Sequence, residues 1–196
     1  MIFRKSNSNI EFIIAGLGNP GLQYENTRHN AGFFAVDEIA AKYHVRADRL
    51  KWKALTGEAV IGGHRVLLMK PQTYMNNSGQ AVCAAMSFYK IPPERTLLVF
   101  DDVSLPPGKV RIRKNGSSGG QNGVKDIIEL SGSQEFPRIK IGIGAKPHPD
   151  YDLANWVLSK FTPEDKKVIV EAIKKAVEVI PYILDGDIEK AMGMVN

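Results

Sequence analysis

The sequence predicts a single α/β domain over residues 1–196, built on a mixed, twisted β-sheet with helices on both faces. Three observations carry this. Short apolar runs interleave with stretches of helical periodicity, a two-residue hairpin signal at Gly62-Gly63 adds an antiparallel pair, and no repeat, low-complexity tract or linker divides the chain.

Taken in order, residues 1–9 carry two cations with no apolar segment behind them, so they read as a flexible arm and not as a signal peptide. EFIIAGL (11–17) is an apolar run ending in glycines, the pattern of a buried strand. Over 30–43, Phe33, Val36, Ile39, Ala40 and Tyr43 recur at helical spacing. GEAVI and HRVLLMK flank Gly62-Gly63 as two hairpin strands. A second helix is expected over 78–89, with Val82, Cys83, Met86 and Tyr89 on one face. TLLVF (96–100) is another buried strand, followed by a turn at Pro106-Pro107-Gly108. GKVRIRK alternates, with Val110 and Ile112 on one face and Lys109, Arg111 and Arg113 on the other. After the glycine-rich loop NGSSGGQNG comes a helix through Leu130, with Asn122 as its candidate N-cap. FPRIKIGIG alternates again, placing Arg138 and Lys140 opposite isoleucines. Thr162-Pro163-Glu164-Asp165 opens a long C-terminal helix with an N-cap, a proline at its first position and acids in its first turn.

Composition bounds the class. At 43% hydrophobic and 24% charged the chain lies in the globular range, and its length suffices to bury about two thirds of the unfolded surface. No apolar run approaches the roughly 20 residues of a membrane span. The single cysteine, Cys83, falls in an apolar helical pattern and reads as a small buried hydrophobe in a reducing compartment, which points to the cytoplasm. The net charge of +5 is weak evidence for a polyanionic partner, but its distribution says more. No acid falls between Asp102 and Asp126, whereas Lys109, Arg111, Arg113, Lys114 and Lys125 all do. Such a stretch attracts phosphates, although a solvated basic face accounts for it equally well.

Polar residues collect where strands end. In open α/β sheets ligands bind beyond the carboxyl ends of the strands. The loop after EFIIAGL holds Asn19, Tyr24, Arg28, His29 and Asn30; the one after HRVLLMK holds Gln72, Tyr74, Asn76 and Asn77; TLLVF runs into Asp101-Asp102. A histidine facing an aspartate at a strand end can have its tautomer fixed by the carboxylate, leaving the other ring nitrogen to take a proton from water. His29 and Asp101 are the candidates, though singly each also reads as a structural residue. Asn19, Asn76 and Asn122 are neutral donors able to hold a carbonyl and stabilise an oxyanion, and equally able to serve as caps or Asx-turns. There is no G-x-S-x-G elbow, and the histidines lack metal-ligand spacing. GLGNPG matches G-x-G-x-x-G after a strand, but Pro20 removes a donor and a polar stretch delays the helix, so a dinucleotide site is not expected.

These residues also resemble a known family. GLGNPG with Tyr24 and TRHNAG (16–21, 24, 27–32), KPQTYMNNSG (70–79), DD-x-x-LPPGKVRIR (101–113), GGQNGVKDI (119–127) and RIKIGIG (138–144) are similar to the bacterial-type peptidyl-tRNA hydrolases, over nearly the whole chain. The resemblance implies a monomeric enzyme without metal or other cofactor, hydrolysing the ester of N-blocked aminoacyl-tRNA. It implies His29 as the base that activates water, Asp101 as its supporting carboxylate, and Asn19 where blocked and free aminoacyl groups are distinguished. Tyr24, Tyr74, Asn76 and Asn122 fall where the family grips the aminoacylated tRNA end and peptide, and Met75 where it has an apolar cleft wall. Arg111, Arg113 and Lys140 fall at its tRNA-binding cations. Two positions depart from the family, which often has histidine where this chain has Phe100 and Gln121. The alternatives are a non-catalytic RNA-binding protein of the same fold, which would not need His29, Asp101 and the asparagines together, and a general carboxylesterase, weakened by the missing serine elbow.

Overall fold

In the computed structural model, which describes residues 9–196, seven strands form one sheet: β1 Phe12–Gly16, β2 Arg49–Lys51, β3 Ala54–Ile61, β4 His64–Pro71, β5 Thr96–Asp102, β6 Val110–Arg113 and β7 Arg138–Gly142, in the order β2-β3-β4-β1-β5-β7-β6. The expected arm lies outside the described residues except for Asn9, which is exposed. The four central strands, β4, β1, β5 and β7, are mutually parallel; β2, β3 and β6 run antiparallel to their neighbours. The sheet is therefore mixed. Three of its parallel strands, β1, β4 and β5, hold the continuous apolar runs because both of their faces are covered, while β7 keeps the alternation of RIKIG.

The helices are α1 Ala31–Lys42, α2 Ser78–Tyr89, α3 Asn122–Ser131, α4 Leu153–Leu158, α5 Pro163–Leu184 and α6 Ile188–Val195. α1, α5 and α6 cover one face, where Ile14, Val36, Ile39, Val99 and Ile173 share a core. α2 and α3 cover the other, where Ile13, Leu67, Val82, Leu98 and Ile127 meet. Ile13 and Ile14 are adjacent yet belong to opposite cores, as the two-residue period of a strand demands. Each fully buried side chain of this size is worth about 1.5–3 kcal/mol of transfer free energy.

The turn chemistry matches the sequence. Gly62 and Gly63 both have positive φ (59° and 87°), the geometry a two-residue hairpin requires. The Thr162 hydroxyl accepts from the Asp165 N–H at 3.0 Å, and Pro163 stands first in α5.

Three expectations need correction. The cap of α3 is Gln121, whose Oε1 accepts from Val124 N–H at 2.8 Å; Asn122 is the first helical residue and is left exposed toward solvent. Cys83 is half-buried, because its turn of α2 borders a surface groove with Pro92 and Ser131. Arg138 is not a surface cation. The loop after β6 crosses over it, and its guanidinium donates to the carbonyls of Phe136, Ser117 and Gln134. Strand β2 and helices α4 and α6 complete the fold without having been anticipated. No helix among the described residues is long and apolar enough to cross a membrane.

Candidate active site

From β1 the chain crosses to the edge strand β2, comes back through β3 to β4 beside β1, and then passes β1 to β5, so the order reverses at β1. Helix α1 follows β1 onto one face and α2 follows β4 onto the other, leaving a crevice at the carboxyl ends of the central strands. Ligands bind at such a reversal. A cleft of about 550 Å³ opens there, lined by Asn19, Tyr24, His29, Tyr74, Met75, Asn76, Asp101 and Asn122 among others. The sheet thus gathers at one rim residues as far apart in sequence as Asn19 and Asn122.

His29 and Asp101 meet at the bottom. Nδ1 of His29 stands 2.9 Å from each carboxylate oxygen of Asp101, and both residues are buried. An ionised carboxylate only accepts, so Nδ1 carries the proton of the neutral ring and Nε2 is left with its lone pair. Nε2 has no hydrogen-bond partner among the described residues and is not occluded, so it is open to the cleft. Local structure sets this aim. His29 belongs to a single 3-10 turn, Arg28–Asn30, between β1 and α1, in which all three side chains are buried.

Asn19 is held as firmly. Its Oδ1 accepts from Met75 N–H at 2.7 Å, its own N–H donates to Asn30 Oδ1 at 2.7 Å, and its carbonyl accepts from Asn30 Nδ2 at 3.0 Å. With its oxygen committed to Met75, the remaining Nδ2 donor has no partner among the described residues and borders the cleft. The exposed Tyr74 adopts φ 62°, a conformation costly for a non-glycine residue and typical of functional turns; its ring makes an edge-to-face pair with Tyr24 at 6.1 Å.

Arg111, Arg113 and Lys140 do not line the cleft. They lie on the β6–β7 edge, where Arg111 is directly opposite Lys140 and shares its face. Lys140 is paired with Asp102 Oδ2 at 3.0 Å. Burial opposes ionisation of Asp102, but hydrogen bonds from Ser104 and Lys140 outweigh it and hold the carboxyl below its usual range.

The sequence did not disclose the roles of Gln121 and Asn30 or the part played by α4. Gln121 Nε2 donates to Asp101 Oδ1 at 3.2 Å and approaches Met75 Sδ at 3.1 Å, tying the start of α3 to the histidine's partner. Asn30 braces Asn19. Leu153, Ala154, Val157 and Leu158 of α4 form an apolar lip across the cleft. For α4 a signal was present: Asp152 is its N-cap, accepting from Asn155 N–H at 2.8 Å, ahead of an apolar stretch.

The sequence profile of a family described as peptidyl-tRNA hydrolase matches residues 13–196. A peptidyl-tRNA hydrolase of Agathobacter rectalis is 50% identical over 186 residues, 94% of this chain and 100% of the relative. One from Caldanaerobacter subterraneus subsp. tengcongensis is 51% identical over 185 residues, 94% of this chain and 99% of the relative. The crystal structure of the peptidyl-tRNA hydrolase of Acinetobacter baumannii superposes with a TM-score of 0.90 at 36% identity, covering 95% of this chain and 94% of that one. On sequence, extent and fold together, the chain belongs to the peptidyl-tRNA hydrolase family.

Proposed function

We propose that this chain hydrolyses the ester between the peptide and the tRNA of peptidyl-tRNA, with His29 as general base. The observation that carries the reading is the Nδ1 of His29 held at 2.9 Å by the Asp101 carboxylate while Nε2 opens into the cleft. Nε2 takes a proton from a water as that water attacks the ester carbonyl, and Asp101 stabilises the imidazolium that forms. When the tetrahedral intermediate collapses, the bond to the ribose oxygen breaks and the imidazolium returns its proton to that departing oxygen. The Nδ2 of Asn19 is aimed by the bond from Met75 N–H and donates to the developing oxyanion. An aligned base contributes about 10²–10⁴ in rate, and one oxyanion donor about 10²–10³. Because an ester leaves more readily than an amide, these two contributions suffice without a protein nucleophile.

In this reading the chain acts as a cytoplasmic monomer. The acceptor stem lies along Arg111, Arg113 and the neighbouring Lys140. The peptide end enters past Tyr24, Tyr74 and Asn76 to lie between Met75 and Asn122. The assay is release of N-acetyl amino acid from N-acetyl-aminoacyl-tRNA, with unblocked aminoacyl-tRNA as control. Tight tRNA binding without release would instead favour a non-catalytic RNA-binding role, and equal cleavage of both substrates would remove Asn19 as the discriminating group.

A further inference from the structure

We propose that Arg28 is a positioning residue, which registers the turn carrying His29 against the α4 lip of the cleft. This rests on the function proposed above. Arg28 and His29 are neighbours in one 3-10 turn and point to different places. His29 reaches Asp101, whereas the Arg28 guanidinium lies over the Trp156 ring at 3.9 Å and the Phe161 ring at 5.3 Å. Its Nη1 donates to Ser159 Oγ at 2.8 Å and to the Lys160 carbonyl, and its Nη2 pairs with Asp165 at 2.9 Å. The backbones add an Arg28 N–H bond to the Ser159 carbonyl, a bridge between Thr27 and Lys160, and a Phe161 N–H bond to the Asn26 carbonyl.

One side chain thus fastens the end of α4, the start of α5 and the turn of the base together. The same Trp156 ring ties α4 to the sheet, its Nε1 donating to the Gly144 carbonyl at 2.8 Å just beyond β7. The seat has a cost: Arg28 Nε is buried without a hydrogen-bond partner. An apolar side chain would fill the space between two aromatic rings without leaving such an orphan. What it could not supply is the set of directional donations that fix where the turn lies. His29 is then located from both ends, by Asp101 through its ring and by Arg28 through its backbone. Small displacements of a reacting group cost up to about 10² in rate.

The experiment uses Arg28→Met and Trp156→Leu in the full chain, each read two ways. Imidazole ¹⁵N NMR follows His29 without any substrate, and kcat and KM are measured on N-acetyl-aminoacyl-tRNA well below the melting temperature. The expected result is a 10- to 100-fold loss of kcat per folded molecule and a changed His29 ring signal, with Arg28→Lys intermediate because an ammonium cannot reproduce the forked geometry of a guanidinium. A folded variant with wild-type kcat and an unmoved His29 signal, and only a lower Tm, would overturn the proposal. If Arg28→Met does not fold, Trp156→Leu decides by the same readouts. Failure of the wild-type protein to cleave the substrate would overturn the proposed function, while the NMR comparison would still decide the role of Arg28.

Discussion

Gln121 donates through Nε2 to Oδ1 of Asp101 at 3.2 Å, the same oxygen that Nδ1 of His29 faces at 2.9 Å. The other end of that amide caps α3 by accepting from Val124 N–H. One neutral side chain therefore links the start of a helix to the carboxylate that orients the base. An amide donates in the same way at every pH, so this support does not titrate.

Gln121→Glu should change that. Two carboxylates about 3 Å apart do not both ionise readily, and one keeps its proton to higher pH. The rate–pH profile of the variant should therefore show an added ionisation that the wild type lacks. Gln121→Leu should show none, and should lose about 1 kcal/mol of stability with the helix cap. Superimposable profiles for Gln121→Glu and wild type would mean that Gln121 does not act through Asp101.

Removing the base or its support should separate chemistry from binding. His29→Ala should lower kcat by about 10²–10⁴ while leaving the Kd for tRNA within a few-fold, because a general base contributes to the transition state more than to the ground state. Asp101→Asn keeps the shape but offers an amide that can present either a donor or an acceptor to Nδ1, so the tautomer is no longer fixed. Its kcat should fall by a similar order. Ordinary turnover in folded His29→Ala would rule out the proposed mechanism.

The cations of the β6–β7 edge should differ among themselves. Neither Arg111 nor Arg113 makes a salt bridge among the described residues, so both charges are available to phosphates. Reversing either to Glu should weaken tRNA binding and flatten log Kd against log salt by about 1 for each phosphate that is no longer neutralised. Lys140 is already compensated by Asp102, and both side chains are mostly buried. Lys140→Gln should therefore change the salt slope little and cost about 1–3 kcal/mol of stability, by leaving a partly buried carboxylate short of a partner. Slopes unchanged from wild type in both arginine variants would place the tRNA elsewhere.

What the sequence made legible was whatever periodicity or local chemistry encodes. The buried strand β1, the Gly62-Gly63 hairpin and the Thr162 cap could each be read from a few adjacent residues. The proximity of His29 to Asp101 was legible only as a consequence of topology, since His29 follows β1 and Asp101 lies near the end of β5, the parallel strand paired beside it. The other long-range polar contacts were not legible. Gln121 is one residue before an asparagine that looks equally like a cap, and only the path of the chain decides which of them turns inward. Arg138 fits an alternating strand as well as any surface cation, until the loop that buries it is seen. Glycines mislead in the opposite direction. Gly32, inside TRHNAG, looks like part of a binding motif, but a Cβ there would meet the Leu17 nitrogen and the Val99 carbonyl at 2.3 Å each. It lets α1 approach the sheet and does no chemistry.

Far from the cleft, His64 lies between two carboxylates, with Nε2 at 2.9 Å from Asp185 and Nδ1 at 3.3 Å from Glu11. The hydrogen bond with Asp185 raises its pKa above the ordinary 6.5; partial burial opposes this, and Glu11 adds to the rise. The folded protein therefore holds this proton more tightly than the unfolded chain. That stabilisation is complete below about pH 6.5 and is lost as pH climbs through the raised value. Glu11 moves the other way. The Arg65 backbone N–H, then His64, lower its pKa below the ordinary 4.5, so its contribution is complete above about pH 4.5 and fades as pH falls through the lowered value. The two overlap between about pH 4.5 and 6.5. Within that window the Tm difference between wild type and His64→Gln should be largest, narrowing on either side. The groups are solvent-accessible, so about 1 M salt, with a Debye length near 3 Å, should shrink the difference as well. A Tm difference that stays flat across the pH range would mean that His64 acts through its edge-to-face packing on Phe12, at 5.1 Å, and not through charge.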